Sequence, residues 1–586
     1  MNITIIRRGQ CPRHTNRMKR LRYTIQGIVQ GVGFRPYVYR IAKALSLSGR
    51  VKNSAKGVIV EVEGERVDEF LEALLLHLPP LAKVSQWEVE ELNPLGECDF
   101  VIEESEQSEG FTLVSPDIAT CEDCLAELFD SRDRRYLYPF INCTNCGPRF
   151  TIIERIPYDR VNTTMKEFVM CEDCLREYED PENRRFHAQP NACPVCGPYV
   201  ELDEAKGEDA IRKAVDMLSD GKIVAIKGLG GYHLACDALN NEAVERLRGT
   251  KRKNNKPFAL MGTMEMIEEH TIVSPAERKL LLSTSAPIVL LEKREDSGIS
   301  PAVAPGLKWL GFMLPYTPLH HILIHHFNKP IVLTSANRSD EPIVYEDDSP
   351  ILNEMADATL THNRKIYIRC DDSVCTIFND KLYAVRRSRG FAPRPIPLPL
   401  TSHKDILAVG GMMKNTFTVV KDGYAFMSQH IGDVETLEAL STERSAIKHF
   451  LEIFSVNPEI VVCDKHPLYP TRHLAEEFGL PVLEVQHHRA HIASCLAENG
   501  ITGRVIGVAL DGTGYGDDGK IWGGEFFVGE FFHLNRVGHL RYIGLPGGDK
   551  GIREPWRFAL SVLYALGMEG RQRWGCLLYT SPSPRD

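Results

Sequence analysis

Apolar residues recur with two different spacings over roughly the first hundred residues. Alternating apolar positions predict strands, and the strands expected from this spacing are 21–29, 58–62, 87–92 and 100–103. Apolar positions three or four apart predict helices at 36–45 and 67–78, and Pro79 and Pro80 end the second helix. The pattern therefore predicts a small domain of strands and two helices over residues 18–108.

The pattern changes further along the chain. A cysteine-rich segment occupies residues 109–203, and longer helix and strand segments then alternate, which is typical of α/β domains. The proline-rich stretch 393–399 is typical of a stiff linker, so we expect one domain over 204–395 and another over 404–575. Residues 576–586 fit no preceding pattern, and we expect them to be a non-native tail. The predicted fold class is multidomain, with α/β and α+β domains.

Composition narrows the possible functions. The chain has 586 residues, about four domains of average size, with 43% hydrophobic and 25% charged residues. Its net charge of −10 argues against a general nucleic-acid coat, because such proteins need basic surface. No stretch approaches the roughly 18 consecutive apolar residues of a membrane span, and the N-terminus lacks the apolar core of a signal peptide. We expect a cytoplasmic protein with no membrane and no nucleic-acid partner.

Half of the 16 cysteines lie in four Cys-x2-Cys pairs. The pairs form two copies of Cys-x2-Cys-x18-Cys-x2-Cys, an internal repeat at an offset of 50 residues. The eight cysteines are Cys121, Cys124, Cys143, Cys146, Cys171, Cys174, Cys193 and Cys196. Two such pairs supply the four thiolates of a closed zinc site, so the sequence predicts two structural Zn2+ ions. Redox dithiols are the alternative, and the spacing leaves open which pairs share an ion.

A glycine-rich turn at residues 27–36 joins the first predicted strand to the first predicted helix. Its glycines let backbone N–H groups turn inward, and the helix N-terminus adds partial positive charge, which together favour an anion. Arg35 can grip a phosphate bidentately, and Pro36 suits the first helical position. An ordinary tight turn beside a surface arginine is the alternative.

Several segments between residues 204 and 395 suit a nucleotide triphosphate. They are a glycine turn at 227–234, a cluster of four cations at 251–258, a Thr-Ser-Ala-Asn segment at 334–337 and an arginine cluster at 386–389. A triphosphate carries about four negative charges and calls for several Lys and Arg side chains with small hydroxyl residues. Each segment alone could be a solvated charge run or a turn.

Histidines four residues apart suggest a metal site in the last domain. His487 and His491 lie on one face of a predicted helix, within reach of one ion. Downstream, the strand predicted at 505–510 delivers Asp511 followed by glycines. Surface histidines and a hairpin turn are the alternatives.

These segments resemble three known families. Residues 18–108 are similar to the acylphosphatases, which implies a ferredoxin-like fold, an Arg35 that binds the acyl phosphate and an Asn53 that orients the attacking water. In that likeness the phosphate also contacts the loop residues Gln30, Gly31, Val32, Gly33 and Phe34. Residues 204–395 resemble the YrdC-like family, which makes acyl-adenylates from ATP. The nucleotide ligands that this resemblance implies are Lys251, Arg252, Lys256, Ser335 and Asn337.

Residues 404–575 resemble an actin-like (ASKH) carbamoyltransferase domain related to the tRNA threonylcarbamoyl-transfer enzymes. That resemblance implies a further divalent metal bound by His487, His491 and Asp511.

The four parts in this order resemble the carbamoyltransferase family of NiFe-hydrogenase maturation. The resemblance implies hydrolysis of carbamoyl phosphate, adenylation of carbamate by ATP with Mg2+, and transfer of the carbamoyl group to the C-terminal cysteine of HypE. Because members of that family continue well past residue 575 and carry further metal ligands and acceptor-facing surface there, we expect the chain to hydrolyse carbamoyl phosphate and to form the adenylate more readily than to complete transfer. The alternatives are an enzyme of tRNA threonylcarbamoyladenosine modification and a zinc-based interaction scaffold.

Overall fold

The computed structural model describes residues 18–29, 32–54, 57–79, 82–103, 114–251, 256–338, 341–400 and 402–567. Three predicted phosphate-contacting residues, Gln30, Gly31 and Arg252, lie outside the described residues, as does the tail predicted at 576–586.

The first domain is a ferredoxin-like sheet with helices, as predicted. Its elements are β1 (Lys19–Ile28), α1 (Phe34–Ala44), β2 (Ser48–Ser54), β3 (Gly57–Gly64), a 3-10 turn (Val67–Glu69), α2 (Phe70–Leu76), β4 (Lys83–Leu92) and β5 (Phe100–Ile102). The strand order is β4-β1-β3-β2-β5, and Val58, Val60 and Val62 of β3 lie in the buried core. Helix α1 begins two residues before the predicted start, because Gly33 adopts a left-handed φ of +72° as its N-cap. Strand β2 was not predicted, and it carries Asn53.

The cysteine-rich segment has little regular structure. Its two α-helices are α3 (Glu122–Phe129) and α4 (Glu172–Glu179), each beginning directly after the first cysteine of a repeat copy. Short 3-10 turns at Phe150–Ile152, Arg160–Asn162 and Thr164–Glu167 connect the two copies. With so few backbone ladders, this segment depends on its side-chain contacts to hold its shape.

The third domain is built on one large mixed sheet with helices. Its strands are β6 (Val200–Leu202), β7 (Ala205–Lys206), β8 (Val224–Lys227), β9 (Tyr232–Asp237), β10 (Ala259–Met261), β11 (Thr271–Ile272), β12 (Ile288–Lys293), β13 (Trp309–Met313), β14 (Ile331–Ser335), β15 (Ala358–His362), β16 (Val374–Phe378) and β17 (Lys381–Arg386). Its helices are α5 (Glu208–Ser219), α6 (Asn241–Thr250), α7 (Met264–His270), α8 (Pro275–Leu281), α9 (Pro318–Phe327) and α10 (Pro350–Met355), with a 3-10 turn at Pro301–Val303. The strand order is β17-β16-β12-β13-β10-β14-β9-β8-β15-β6-β7, and β11 pairs with β12.

The last domain has a six-stranded and a three-stranded sheet. Its strands are β18 (Pro395–Pro397), β19 (Ile406–Ala408), β20 (Thr418–Lys421), β21 (Tyr424–Met427), β22 (Ile460–Asp464), β23 (Val482–Val485), β24 (Val505–Tyr515), β25 (Ile521–Glu530) and β26 (His533–His539). Its helices are α11 (Leu437–Ile453), α12 (Pro470–Glu477), α13 (His487–Glu498), α14 (Asp549–Arg553) and α15 (Pro555–Ala565). The strand orders are β18-β21-β20-β19-β22-β23 and β24-β25-β26. Part of the stretch predicted as a linker is therefore strand β18, an edge position that tolerates proline.

The cysteine-rich segment shares buried cores with the third and the last domain. One apolar cluster joins Leu128 of the cysteine-rich segment to Leu319 of α9. Another joins Phe150 to Phe450 of α11, whose rings meet edge to face at 5.7 Å. The cysteine-rich segment thus contacts both later domains. Among the described residues, no helix combines the length and apolar character that crossing a membrane requires.

Candidate active sites

The first site lies where β2 meets the start of α1. With its amide turned to suit both groups, the Asn53 side-chain oxygen accepts hydrogen bonds from Nε and Nη2 of Arg35, both at 3.3 Å. Helix α1 begins beside these side chains, and Val32 and Phe34 are buried in the domain core. The structure therefore brings the predicted pair together at a helix N-terminus, where an anion is favoured.

The cysteine-rich segment forms one wall of this first site. A Cβ placed on Gly33 would lie 3.3 Å from Oγ1 of Thr144, which stands between two of the cysteines. Burial lowers the pKa of Arg35, although the nearby Asp159 and Tyr178 oppose the shift. The ring of His187 stacks on Tyr178, with centroids 4.9 Å apart, and burial together with Arg35 lowers the pKa of His187 to about 4. The arginine thus lies near an acidic and two aromatic side chains of the cysteine-rich segment.

The eight predicted cysteines form two compact groups, one within each copy of the repeat. In the first group, Sγ of Cys143 lies 3.6 Å from that of Cys121 and 3.9 Å from that of Cys146. In the second group, Sγ of Cys193 lies 3.7 Å from that of Cys171 and 3.8 Å from that of Cys196. Zn–S bonds of about 2.3 Å in a tetrahedron place sulfurs about 3.8 Å apart. Both groups fit Zn2+, and ligand pairing across the copies, which the spacing had left open, does not occur.

The third domain encloses a cavity of about 560 Å³ beside the residues predicted to bind nucleotide. Lys256, Ser335 and Asn337 line it, and Ser335 Oγ donates to Asn337 Oδ1 at 2.9 Å. Lys251 is almost fully buried behind them, and its Nζ donates to Asn337 Oδ1 at 3.0 Å and to the Ser335 carbonyl. Lys251, Lys256, Ser335 and Asn337 therefore lie close together. Lys251 is hydrogen-bonded to Ser335 and Asn337 and does not extend into the cavity.

The three arginines of the cluster at 386–389 differ in whether they line the cavity. Arg386 lines the cavity and pairs with Asp371 at 2.6 Å. Arg389 is buried against the ring of Tyr316 and binds Asp372 at 2.5 Å, while Arg387 donates to backbone carbonyls. Only the first of the three arginines is placed to meet a ligand.

Residues of the last domain complete the cavity wall, although none of them was predicted to bind nucleotide. Lys414, His430 and Asp433 all line the cavity, as Ser335 does. Burial, with the charge of Arg386 beside it, lowers the pKa of His430 to about 4, so its ring is neutral at pH 7. No local spacing signals these residues, because they reach the cavity only through the packing of one domain on another.

A third site joins helix α13 to strand β24. Nε2 of His487 lies 3.1 Å from Nε2 of His491 and 3.4 Å from Oδ2 of Asp511. Nε2 of His491 lies 3.7 Å from the same oxygen of Asp511. The predicted strand end at residue 510 is wrong. Strand β24 continues to Tyr515 through a register shift between Leu510 and Gly514, which holds Asp511 inside it. The three predicted ligand atoms thus form a triangle that one ion could bridge.

Neighbouring side chains hold these three ligands in place. Asp464 accepts from Nδ1 of His487 at 2.7 Å, and His488 Nε2 contacts Oδ1 of Asp511 at 3.1 Å. Gln486 caps α13 by accepting from two backbone N–H groups. The hydrogen bond with Asp464 raises the pKa of His487, which burial alone would lower. Oδ2 of Asp511 is buried with no hydrogen-bond partner among the described residues, as fits an atom that binds a cation.

Models of known domains match most of the chain. The matches are "Acylphosphatase" at residues 21–102, "HypF finger" at 120–153 and 170–202, "Telomere recombination" at 216–388, "HypF Kae1-like domain" at 401–498 and "Carbamoyltransferase, Kae1-like Domain, second subdomain" at 507–580.

Whole-chain relatives agree with these matches. Carbamoyltransferase HypF2 of Cupriavidus necator is 46% identical over 95% of this chain and 74% of its own length. Carbamoyltransferase HypF of Synechocystis is 46% identical over 93% of this chain and 73% of its own length. A crystal structure of full-length HypF in a phosphate- and nucleotide-bound form superposes with a TM-score of 0.90 at 46% identity, covering 94% of this chain and 73% of that one. The chain therefore belongs to the HypF family of hydrogenase-maturation carbamoyltransferases.

Proposed function

We propose that the protein hydrolyses carbamoyl phosphate, adenylates the resulting carbamate with ATP and passes the carbamoyl group to the C-terminal cysteine of HypE. Water attacks carbamoyl phosphate and gives carbamate and phosphate. Carbamate then attacks the α-phosphorus of ATP, giving carbamoyl-adenylate and diphosphate. The cysteine thiol finally takes the carbamoyl group and releases AMP, so atoms balance at every step.

The first step is assigned to Arg35 and Asn53. A guanidinium in a half-buried site binds a phosphate bidentately, and the N-terminus of α1 adds N–H donors. Asn53 contacts the same guanidinium, which supports a role for it in orienting a water beside a bound phosphate.

The adenylation step is assigned to the 560 Å³ cavity. Lys256, Ser335 and Asn337 supply a cation and small polar groups for a nucleotide, and Arg386 supplies a second cation. Mg2+ would accompany ATP and offset its negative charge. Lys251 positions Asn337 and the backbone of Ser335 from behind.

The transfer step is assigned to the third site. His487, His491 and Asp511 would hold a divalent metal, which as a Lewis acid would polarise the carbamoyl group. Asp464 fixes the ring of His487 with Nε2 directed at the other two ligands.

The observation that carries the proposal is the shared wall of the cavity. Ser335 and Asn337 of the third domain and Lys414 and His430 of the last domain line the same cavity. An adenylate formed there already borders the domain that would consume it, which suits an intermediate that water destroys.

The test is exchange of radiolabelled diphosphate into ATP. We expect exchange that depends on carbamoyl phosphate, and we expect Arg35→Ala to reduce it about 100- to 1000-fold because the phosphate loses its main charged donor. Ammonium bicarbonate, which equilibrates with free carbamate, should restore exchange in this variant. Addition of HypE then tests the last step by mass spectrometry of its C-terminal peptide.

The control is Arg40→Ala, which removes an exposed arginine of the same helix. It should leave exchange unchanged. Exchange that needs threonine rather than carbamoyl phosphate would favour a tRNA-modifying enzyme, and absence of any ATP turnover would favour a scaffold. Wild-type exchange by Arg35→Ala would contradict the proposal.

A further inference from the structure

Two neighbouring arginines in each copy of the cysteine repeat reach into the other copy. Arg134 and Arg135 lie in the first copy, and Arg184 and Arg185 occupy the same positions in the second, 50 residues later. Each pair stands in the loop between the second and third cysteines of its own copy.

The first pair binds a cysteine of the second copy. Arg134 Nη2 donates to Sγ of Cys174 at 3.3 Å and to Oε2 of Glu177 at 2.6 Å. Arg135 Nη2 donates to the same sulfur at 3.5 Å, and its Nε donates to the carbonyl of Ala192 at 2.8 Å.

The second pair makes similar contacts with the first copy. Arg184 Nη1 donates to Sγ of Cys124 at 3.2 Å, and its Nε donates to Oε1 of Glu127 at 2.9 Å. Arg185 donates to Glu127, and its Nε donates to the carbonyl of Asn142 at 3.1 Å. The partners named here are repeat equivalents, but in the described residues Arg185 has no counterpart to the bond between Arg135 and the cysteine sulfur. The exchange of cysteine contacts is therefore reciprocal for Arg134 and Arg184.

The chemistry of these contacts is that of a metal-bound thiolate. Cys124 and Cys174 are fully buried, so water cannot replace the arginine donors. Four thiolates on one Zn2+ leave two excess negative charges, and charged N–H donors offset them. A guanidinium beside a buried sulfur therefore stabilises the zinc-bound form of that cysteine.

We propose that the two four-cysteine groups act as one coupled metal unit, in which zinc at either group strengthens zinc binding at the other through these exchanged arginines.

The coupling follows from where the arginines stand. Zinc in the second group closes the loop that carries Arg184 and so fixes the donor that Cys124 of the first group needs. Zinc in the first group likewise closes the loop that carries Arg134 and so fixes the donor to Cys174 of the second group. A coupling between two sites is reciprocal by thermodynamic necessity, and here the contacts themselves are reciprocal. The inference concerns metal binding alone and does not depend on the reaction proposed above.

The experiment measures zinc loss separately at each group. The zinc-loaded full chain is mixed with EDTA and N-ethylmaleimide, and mass spectrometry of peptides follows alkylation of each cysteine with time. We expect Arg184→Ala to speed alkylation of the first group about 10- to 100-fold, the usual cost of removing a partner of a metal ligand, with the second group following later. Arg134→Ala should reverse the order. Both arginines are partly exposed, with 24% and 32% of their side chains accessible, so truncation leaves no large cavity.

Two further arginines serve as matched controls. Arg132 and Arg176 belong to the same two copies, but their side chains are 87% and 75% exposed and pair only with Asp130 and Asp173 among the contacts described. Their alanine variants should lose zinc at the wild-type rate.

A second variant tests the coupling directly. Cys171→Ser combined with Cys193→Ser removes the second group, and the first group should then lose zinc at least about 10-fold faster. A wild-type rate at the first group in this variant would overturn the coupling. Wild-type rates of alkylation in both arginine variants would also overturn the proposal. So would equal alkylation rates of the two cysteine groups in each arginine variant, because general unfolding exposes both groups together.

Discussion

The cysteine groups and the histidine–aspartate group both gather metal-binding side chains, but the chain surrounds them differently. Each cysteine group brings four like ligands together, and Cys124, Cys143 and Cys146 of the first are buried. The other group brings three ligands together within the described ranges, and the side chain of His491 is 53% exposed. Closed four-thiolate sites hold a fold together, whereas a group with fewer ligands and an open side can admit a substrate.

The side chains around the two kinds of site also differ, and they leave the histidine–aspartate group more open to a ligand. Charged donors from the opposite repeat copy bind the cysteine sulfurs, which lowers their reactivity. Around the histidines, Asp464 and His488 orient the ligands while Oδ2 of Asp511 keeps no hydrogen-bond partner in the described part of the chain. We therefore expect that loss of a cysteine ligand destabilises the fold, whereas loss of Asp511 weakens metal binding alone.

The largest effect is expected for Cys143→Ser. Structural Zn2+ contributes about 10–16 kcal/mol to the folding of small zinc modules, so the variant should hold fewer than two zinc ions and melt at a clearly lower temperature. Elemental analysis and thermal unfolding check both. Cys495→Ser, at an exposed cysteine outside both groups, is the control and should match wild type. Full zinc content in Cys143→Ser would show that the thiols do not share an ion.

A smaller and more selective effect is expected for Asp511→Asn. The amide keeps the shape but removes the anion, so affinity for a divalent ion should fall by at least about 100-fold, with the melting temperature nearly unchanged. Titration of the zinc-loaded protein with Co2+, followed by its visible absorption, measures this affinity. The control is His473→Ala, whose side chain is 72% exposed on helix α12. Unchanged Co2+ affinity in Asp511→Asn would remove Asp511 from the metal site.

Local spacing predicted much of these sites because their ligands are close in sequence. A Cys-x2-Cys pair or histidines at i and i+4 converge within one turn of chain, whatever the rest of the molecule does. The same reasoning located the helix start after Gly33 to within two residues.

Features that depend on tertiary packing could not be predicted from the sequence. The register shift that keeps Asp511 within β24 depends on its pairing with β25. The pairing of cysteines within each copy depends on how the loops fold back. Lys414 and His430 reach the nucleotide cavity only because two domains pack together, and no periodicity encodes such a contact. Lys251 was predicted to bind nucleotide, with a solvated charge run as the alternative, and its near-complete burial could not be foreseen from the sequence.

The smallest effect is expected for Asp464→Asn, which changes a partner of a ligand rather than a ligand. Asparagine can still accept from Nδ1 of His487, so the ring keeps its orientation and loses only the charge behind it. Co2+ affinity should fall about 10-fold, less than in Asp511→Asn, again with little change in melting temperature. Glu484→Gln on the neighbouring strand β23, where the carboxylate pairs with Arg472 instead, should leave the affinity at the wild-type value. An effect of Asp464→Asn equal to that of Asp511→Asn would mean that Asp464 itself binds the ion, and the open group would then contain four ligands instead of three.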